Sequence, residues 1–555
     1  MTTFEIADHI VEDLCSISPL LSTQLGVPGS DHLWGNDFGL EGIEEWSDVR
    51  ARHRPQIVAF LDSDSPREAL AARVILGLFD ELEAEVAAGD QFRDLRHMAS
   101  SFQRIRSIFD VMPVSTEEAR DNVIARLRSI DRPLNQYREL LGEGIGRGIV
   151  VSERQVTSVI EQAKHMAEDP SSFDAIVAKF ADMGLDDDAL HDAARSARSE
   201  IGEFGEWLAV DYLPHAREDD AAGSEVYQRA ADRLVGLTID TDEAYRWGWL
   251  EFFRLREEMR RVAEEIRSGA GIDAVKEYLE TDPEVTASGT AELVAFVERI
   301  LSQAVDDLSG AHFDVPDVLR QVTVSIAPPG TPLGAYYLRP SEDFSRPGGV
   351  WYSIGDQSVF PLYQHVSTAY HEGFPGHHLQ VGTAMTRTEE ISRFQRSLTW
   401  YPGYSEGWAM YAEVLMGELG YLDDPQHYFG MLAKQMYRAS RVVVDIGLHL
   451  GLEIDDDSPI DPGRPWTFDS AAEFIREYGF RTSAQARDEV LRYLGWPGQA
   501  IAYKLGEREI LSIREETRDR LGPAFDLRAF HSTVLNNGSM RLDLLREVVR
   551  ERLPG

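Results

Sequence analysis

The residues whose types and spacing best suit chemistry lie in one short run, HEGFPGHH, at positions 371–378. This run holds three histidines and one glutamate, and a second carboxylate, Glu406, follows in the string SEGWA at 405–409. Imidazole nitrogen and carboxylate oxygen are common ligands of Zn²⁺, and a further carboxylate beside the ligands can take a proton from water. The composition therefore predicts a zinc site that hydrolyses a bound substrate.

The interval between the histidines departs from the His-Glu-x-x-His pattern of zinc peptidases, because Pro375 stands where the second histidine belongs. On a regular helix, His371 and His377 would lie about 9 Å apart along the axis and about 120° apart in angle, so they could not bind one ion. The Pro-Gly pair at 375–376 interrupts a helix, since proline lacks a backbone donor and glycine adopts conformations closed to other residues. We therefore predict a kink or bulge that brings His377 or His378 back towards His371.

Two helices are needed to hold these groups in place. Apolar residues recur at helical spacing over 362–370, which predicts that His371 lies on a helix. Residues 403–405 indicate a turn and an N-cap, so Glu406 is expected in the first turn of the next helix, with Glu413 on the same face. The metal ligands predicted from this arrangement are His371, His377 and Glu406.

Two glutamates are expected to act next to these ligands. Glu372 follows the first ligand directly and is predicted as the general base, which takes a proton from water and passes it to the leaving amine. Glu413 is either a hydrogen-bond partner behind a ligand or a charge that faces solvent. His378 remains the alternative to His377 as the second imidazole ligand.

A polar stripe runs along an otherwise apolar helical segment at 428–452. Its members recur at three- and four-residue steps, and they are Arg438, Arg441, Asp445 and His449. Unpaired charges inside an apolar helix are costly, so one interpretation is an ion-pair network that braces the helices. The other interpretation makes Asp445 and His449 supports of the ligands, and an arginine the clamp for a substrate carboxylate.

A third candidate string, WPGQAIAYK, lies at 496–504. Pro497 is expected at the first position of a helix, with Gln499 and Tyr503 on one face. A phenol close to zinc can stabilise the oxyanion that forms when water adds to a carbonyl, and Tyr503 is the candidate for this role. The alternative is a buried tyrosine whose hydroxyl is simply hydrogen-bonded. Gln499 and Arg492, just upstream, are weaker candidates for the same cleft.

The bulk composition restricts the class of protein. Hydrophobic residues make up 43% of the 555 residues, enough for a large core, and the single cysteine, Cys15, leaves no disulfide within the chain. The net charge of −40 argues against binding to nucleic acid or to anionic membranes, which need cationic surfaces. Without a signal-like N-terminus or an apolar run of about 20 residues, the expected location is the cytoplasm.

Helical patterns dominate the chain up to about residue 311 and resume at 362. Between them, alternating or aromatic segments at 320–327, 334–338 and 349–354 predict short strands. A small sheet just before the metal-binding helix either pairs its edge with an extended substrate or simply covers the helices.

These patterns together predict a mainly α, two-lobed, metallopeptidase-like fold with a deep cleft and a small β-sheet beside the metal-binding helix. No linker rich in serine, glycine or proline divides the chain, so residues 1–555 are predicted to form a single domain. Within it we expect an N-terminal helical part at 1–315 and a catalytic part with the sheet and the metal site at 316–555.

The strings at 371–378, 405–409 and 496–504 resemble the bacterial family catalogued as domain of unknown function 885, and the likeness extends from about Ser18 to the C-terminus. Members of that family resemble the carboxypeptidase Taq group of zinc carboxypeptidases in fold. The resemblance implies that His377 is the ligand, because the family often has another residue at the position of His378. Dimers occur in the carboxypeptidase Taq group, so a homodimer is one of the expected states.

The function expected from the residues is zinc-dependent hydrolysis of an amide bond in a peptide or peptide-like substrate, and the resemblance adds a carboxypeptidase-like outcome on short peptides. One alternative is a metal-dependent hydrolase of a non-peptide amide. Another is a binding protein with a structural or vestigial metal site, which would have no use for Glu372 as a base. A di-iron carboxylate site is disfavoured, because no histidine has a glutamate three residues before it.

Overall fold

The computed structural model describes residues 1–168, 171–327, 334–341 and 344–554. Helices make up most of this part of the chain and the strands are few and short, so the prediction of a mainly α fold is confirmed. The chain divides into two compact units, one of residues 1–221, 392–397 and 494–496, the other of the remaining residues. The prediction of a single domain with parts that meet at residue 315 stays a prediction.

The helices of the first 221 residues form a core of their own. They are α1 (Thr3–Ile17), α2 (Pro19–Leu25), α3 (Leu40–Val58), α4 (Pro66–Ala88), α5 (Ser101–Val111), α6 (Glu117–Arg128), α7 (Asp131–Arg147), α8 (Glu153–Ala167), α9 (Asp174–Asp182) and α10 (Asp188–Trp207). The ring of Phe204 on α10 stacks on Tyr137 and on Phe102, with centroids 5.5 and 5.8 Å away. Buried aromatic contacts of this kind hold the helices of this unit together.

The helices from residue 222 onward include those that carry the candidate site. They are α11 (Ser224–Val235), α12 (Thr241–Ile266), α13 (Ile272–Thr281), α14 (Thr290–Leu308), α15 (Tyr363–Glu372), α16 (His377–Thr386), α17 (Arg393–Leu398), α18 (Pro402–Glu418), α19 (Pro425–Leu450), α20 (Phe468–Tyr478), α21 (Ser483–Gly495), α22 (Ala502–Leu521), α23 (Leu527–Leu535) and α24 (Leu542–Arg552).

The strands form two small sheets, and all three predicted strands are present. They are β1 (Thr286–Ser288), β2 (Thr323–Ile326), β3 (Gly334–Leu338), β4 (Gly349–Ser353) and β5 (Val359–Pro361). In one sheet β1 pairs antiparallel with β5, while in the other a central β4 pairs parallel with β2 and antiparallel with β3. The order places β3 at an edge, where Tyr336 and Leu338 are exposed, and β3 lies close to α15.

Glycines let the helices around the candidate site touch backbone to backbone. A Cβ atom added to Gly407 of α18 would meet the backbone of Gly506 of α22 at 2.6 Å, and one added to Gly506 would overlap Gly403. A Cβ atom on Gly430 of α19 would overlap the carbonyl oxygen of Tyr363 of α15. Interiors packed this tightly leave no room for a larger side chain, so main-chain contact sets the spacing of these helices.

Two predicted helix starts are wrong. Helix α18 begins at Pro402, so residues 403–405 lie inside its first turns instead of forming a turn and N-cap. Proline suits the first helical position, because its φ is favourable and the donor that it lacks would be unpaired there. Helix α22 begins at Ala502 and not at Pro497, because Gly498 has a φ of +77° and donates its N–H to a buried carboxylate of α19.

Candidate metal centre

The run at 371–378 is broken into two helices at the Pro-Gly pair. Helix α15 ends at Glu372 and α16 begins at His377, so four residues turn the chain between them. Gly376 donates its N–H to the carbonyl of Tyr370 at 3.0 Å, and a Cβ atom in its place would overlap the carbonyl oxygen of His371. Only glycine therefore fits at this position. The turn brings the ring of His377 back to that of His371, with the centroids 4.9 Å apart.

Helix α18 contacts both halves of this break. The indole N–H of Trp408 donates to the carbonyl of Pro375 at 2.9 Å, and the hydroxyl of Ser405 donates to Gln380 of α16 at 3.2 Å. Glu406, between these two contacts in the second turn of α18, is thereby directed at the histidines. The turn and the helix that supplies the carboxylate are tied together by hydrogen bonds.

The three predicted ligands converge. The Nε2 atoms of His371 and His377 lie 3.3 and 3.5 Å from the same carboxylate oxygen of Glu406, and one ligand atom from each residue lies within 4.8 Å of the others. In a tetrahedral zinc site with bonds of about 2.1 Å, ligand atoms are about 3.4 Å apart. Two imidazoles and a carboxylate at this separation fit Zn²⁺ and leave a fourth position for water or substrate.

Two ionised carboxylates lie next to the histidines of this cluster, and a bound metal would replace the proton that they favour on His371. Burial alone would raise the pKa of Glu406, but hydrogen bonds from His371 and His377 hold it well below its usual value, so the carboxylate is ionised. Burial alone would lower the pKa of His371, yet Glu406 and Glu413 raise it to about 9. These two carboxylates give the cluster a negative charge that a divalent cation would compensate.

Glu413 supports His371 from behind. Its Oε1 accepts a hydrogen bond from Nδ1 of His371 at 2.7 Å, and its other oxygen accepts one from the hydroxyl of Ser367. Burial would raise the pKa of Glu413, but His371 lowers it, so the group is ionised. A partner at Nδ1 fixes the ring and leaves Nε2 for the metal, as in many zinc sites. The structure thus places Glu413 in the interior, bonded to a predicted ligand, and not at the surface.

We expect a Glu413→Gln variant to bind zinc about 10- to 100-fold more weakly, because the carboxylate that orients His371 is lost. Competition with a chelator of known affinity measures this change. Glu418→Gln is the matched control, since Glu418 lies on the same helix but pairs with Arg514 at 2.7 Å. Equal zinc affinity in the two variants would contradict the role of Glu413.

Glu372 lies beside the ligands with its carboxylate unengaged. Within the described chain no hydrogen bond or ion pair holds this carboxylate, and the residue is half-buried. Burial raises its pKa, although the nearby His371 and His377 oppose that shift. A half-buried carboxylate that has a raised pKa and makes no hydrogen bond within the described chain is suited to accept and return a proton.

His378 points away from the predicted ligands. It is 1% exposed, and its Nε2 donates to the carbonyl of Leu319 at 2.9 Å. Its ring meets that of Tyr337 of β3 edge-on, with centroids 5.6 Å apart. The geometry therefore brings together His371 and His377, and gives His378 a position in the packing between α16 and its neighbours.

Tyr503 and the two arginines of the predicted stripe lie near one another. The guanidinium carbons of Arg441 and Arg438 lie 4.7 and 5.7 Å from the ring centroid of Tyr503. Burial and the charge of Glu406 raise the pKa of Tyr503, so its hydroxyl is protonated. Arg441 donates to the hydroxyls of Tyr437 and Tyr493 at 2.9 and 3.1 Å. A protonated phenol near Glu406 suits a hydrogen-bond donor to an oxyanion.

The rest of the predicted stripe braces helices. Asp445 accepts hydrogen bonds from the hydroxyl of Tyr227 at 2.8 Å and from the N–H of Gly498 at 3.0 Å, and burial raises its pKa to about 7. His449 donates to the carbonyl of Tyr493 at 3.1 Å. None of these hydrogen bonds reaches a predicted ligand, which matches the bracing interpretation for this end of the stripe.

Arg492 and Gln499 also bind each other and not the predicted ligands. The guanidinium of Arg492 pairs with Glu489 at 2.7 Å and donates to the side-chain oxygen of Gln499. Both residues are buried. Their contacts join α21 to the turn that precedes α22, which is the turn that positions Tyr503.

Sequence reasoning missed two residues close to the candidate base. Tyr352 of β4 has a buried hydroxyl that meets no hydrogen-bond partner among the described residues, and burial together with the charge of Glu372 raises its pKa. Lys434 of α19 lies one turn before Arg438, and Glu372 is among the charges that act on it. The polar stripe could have revealed Lys434, because the four-residue step extends to it; nothing in the pattern around Tyr352 distinguishes it.

Comparisons with known proteins give a family and a fold. Residues 19–549 match the sequence model of a family described as "Bacterial protein of unknown function (DUF885)". Among curated proteins, none matches the chain in sequence.

Two solved structures share the fold over nearly the whole chain. A "putative lipoprotein" from Colwellia psychrerythraea superposes with a TM-score of 0.83 at 22% identity, covering 99% of both chains. A "putative lipoprotein of unknown function" from Shewanella oneidensis gives a TM-score of 0.75 at 16% identity, again covering 99% of both chains. A carboxypeptidase from Pyrococcus furiosus gives a TM-score of only 0.32 at 13% identity, with 92% and 98% coverage, which is too low to inform the fold.

These neighbours correct the predicted location. Both structures that share the fold are described as a "putative lipoprotein", and lipoproteins are not cytoplasmic. The prediction of a cytoplasmic protein is therefore wrong. In the part of the chain that the structure describes, no helix combines the length and the apolar character needed to cross a membrane.

Proposed function

The chain belongs to DUF885, a family of bacterial proteins of unknown function, and we propose that it is a zinc-dependent hydrolase of amide bonds in peptides or peptide-like substrates. The observation that carries the proposal is the convergence of His371, His377 and Glu406 next to the unengaged carboxylate of Glu372. A purely structural metal site would have no need of that carboxylate. Short peptides are the first substrates to test, and removal of the C-terminal residue, as by a carboxypeptidase, is the first outcome to look for.

Each residue of the site would have one role in hydrolysis. His371, His377 and Glu406 would hold a zinc ion, which would supply Lewis acidity to the substrate carbonyl and to water. Glu372 takes a proton from the attacking water at its free carboxylate and delivers it to the leaving nitrogen. Tyr503 donates its phenolic hydrogen to the oxygen of the former carbonyl, where negative charge develops. Glu413 keeps the ring of His371 in place through Nδ1.

The edge strand β3 supports a peptide as substrate. It is close to α15, and its Tyr336 and Leu338 are exposed at the edge of the sheet. Extended peptides commonly add to such an edge through backbone hydrogen bonds. A non-peptide amide would not use these groups, and it remains the second candidate class.

Digestion of a mixed peptide library before and after metal removal tests the proposal. The purified protein should contain about one zinc per chain and cleave members of the library, as detected by mass spectrometry. Chelation should abolish cleavage, because the Lewis acid is lost, and added Zn²⁺ should restore it. A protein that holds zinc but cleaves neither peptides nor simple N-acyl amides would contradict the proposal.

A further inference from the structure

Two cationic side chains on α19 have no anionic partner in the part of the chain that the structure describes. Lys434 and Arg438, one turn apart, are both half-buried, and no ion pair or hydrogen bond joins either of them to any residue in the described ranges. The guanidinium of Arg438 instead lies over the rings of Tyr437 and Tyr503, 5.6 and 5.7 Å from their centroids. One turn further on, Arg441 is 6% exposed and pairs with Glu489 at 3.3 Å, while its Nη1 has no acceptor in the described part of the chain.

A shortage of acidic groups does not explain these unpaired cations. The chain has 95 aspartates and glutamates against 55 lysines and arginines, and buried cations elsewhere do have partners: Lys504 pairs with Glu251 and Glu507 at 3.0 and 2.8 Å, and Arg126 donates to the carbonyl of Leu33 and the hydroxyl of Thr23. Withdrawing an ammonium or guanidinium group from water without a counter-charge is unfavourable. Two half-buried cationic groups without a counter-charge are the arrangement expected of a site that binds an anion from outside the chain.

The unpaired cations interact electrostatically with the candidate base, Glu372. Burial, together with the charges of Arg481 and Arg438, lowers the pKa of Lys434 to about 7, and the charges of Glu413 and Glu372 oppose the shift. Conversely, Arg438 lowers the pKa of Glu372. Arg438 also lies 5.7 Å from the ring centroid of Tyr503, the candidate donor to the oxyanion, so an anion bound between Lys434 and Arg438 would lie beside the scissile bond and not at a remote surface.

The two cations differ in geometry, and together they call for two anionic groups. The planar fork of a guanidinium binds one carboxylate through two parallel hydrogen bonds, while an ammonium is a point charge that needs its own partner. Side chains one helical turn apart are neighbours on the helix surface, so a single acidic amino acid can offer one carboxylate to each of the two cations.

We propose that Lys434 and Arg438 form a subsite for two carboxylates, so that the preferred substrates end in a C-terminal glutamate or aspartate. The inference rests on the proposed function for the position of the scissile bond. The α-carboxylate binds the guanidinium of Arg438, and the side-chain carboxylate binds the ammonium of Lys434. The hydrolysed bond is the amide that precedes this acidic residue.

Matched substrates test the subsite. The zinc-loaded protein is assayed with N-acyl dipeptides that end in glutamate, glutamine or leucine and are otherwise identical. We expect kcat/KM for the glutamate substrate to exceed that for the isosteric glutamine substrate by about 10- to 100-fold, because one charged hydrogen bond is lost in the latter. A Lys434→Met variant should bring this ratio close to one. Lys276→Met, at a lysine that lies over Phe480, should keep the wild-type ratio.

Calorimetry separates the subsite from the reaction. L-glutamate and L-glutamine are titrated into wild-type protein and into the Lys434→Met variant, after thermal unfolding has shown both to be folded. Binding of glutamate but not glutamine by wild type alone supports the subsite even if no substrate is cleaved, in which case only the proposed function fails. Cleavage of all three dipeptides at equal rates, or equal binding of the two amino acids, overturns the subsite and leaves the hydrolase intact.

Discussion

A Glu372→Gln variant should keep its zinc and hydrolyse peptides about 10²- to 10⁴-fold more slowly than the wild type. The amide has nearly the shape of the carboxylate but cannot accept the proton of the attacking water. The three ligands are unchanged, and the Glu372 carboxylate makes no hydrogen bond within the described chain that the substitution would break. The measurement pairs metal analysis with kcat/KM on a cleaved member of the peptide library.

The control for this variant separates loss of a base from loss of a charge. Glu418→Gln removes one negative charge from α18 at a residue paired with Arg514, so it should keep both zinc and activity. Thermal unfolding should give similar midpoints for Glu372→Gln and the wild type. Full activity in Glu372→Gln would show that this carboxylate carries no proton, and the mechanism would then have to be abandoned.

His377→Ala and His378→Ala should have opposite effects. The first removes a predicted ligand 3.5 Å from Glu406, so zinc binding should weaken by more than the 10- to 100-fold expected for loss of a ligand support, and activity should disappear with it. The second removes a side chain that is 1% exposed and hydrogen-bonded to Leu319, so stability should fall by about 1–3 kcal/mol while zinc remains.

Zinc content by elemental analysis and thermal unfolding of the same preparations distinguish these outcomes. Both variants are compared at equal free zinc, since a bound metal itself raises the unfolding temperature. Full zinc in His377→Ala, together with zinc loss in a folded His378→Ala, would reverse the ligand assignment. It would also require the turn at 373–376 to differ from the one described above.

The sequence was sufficient to predict the break between the two histidines, because proline and glycine restrict the backbone locally. It could not decide between His377 and His378, since that choice depends on contacts from Leu319 and Trp408, which lie far away in the chain. The start of α22 could not be predicted for the same reason, because Asp445 of α19 accepts a hydrogen bond from Gly498 in the preceding turn.

Residue types alone also could not show which charges lack a partner. The pattern indicated that the stripe on α19 was polar, and both bracing and substrate binding were open interpretations. The structure separates the stripe into two ends: Asp445 accepts hydrogen bonds from other elements, whereas Lys434 and Arg438 have no ion pair or hydrogen bond within the described ranges. Pairing across elements is a long-range property, and periodicity along a helix does not report it.

The crossing of α18 and α22 has a mechanical consequence. Where Gly407 meets Gly506, no side chains lie between the helices that could rotate or repack, so the two segments should travel together as one stiff block that carries Glu406 and Tyr503. His377 belongs to a separate short helix, reached through a four-residue turn. Any opening of the candidate metal centre, for loading an ion or releasing a product, should therefore begin with movement of the histidine ligands and not of Glu406 or Tyr503.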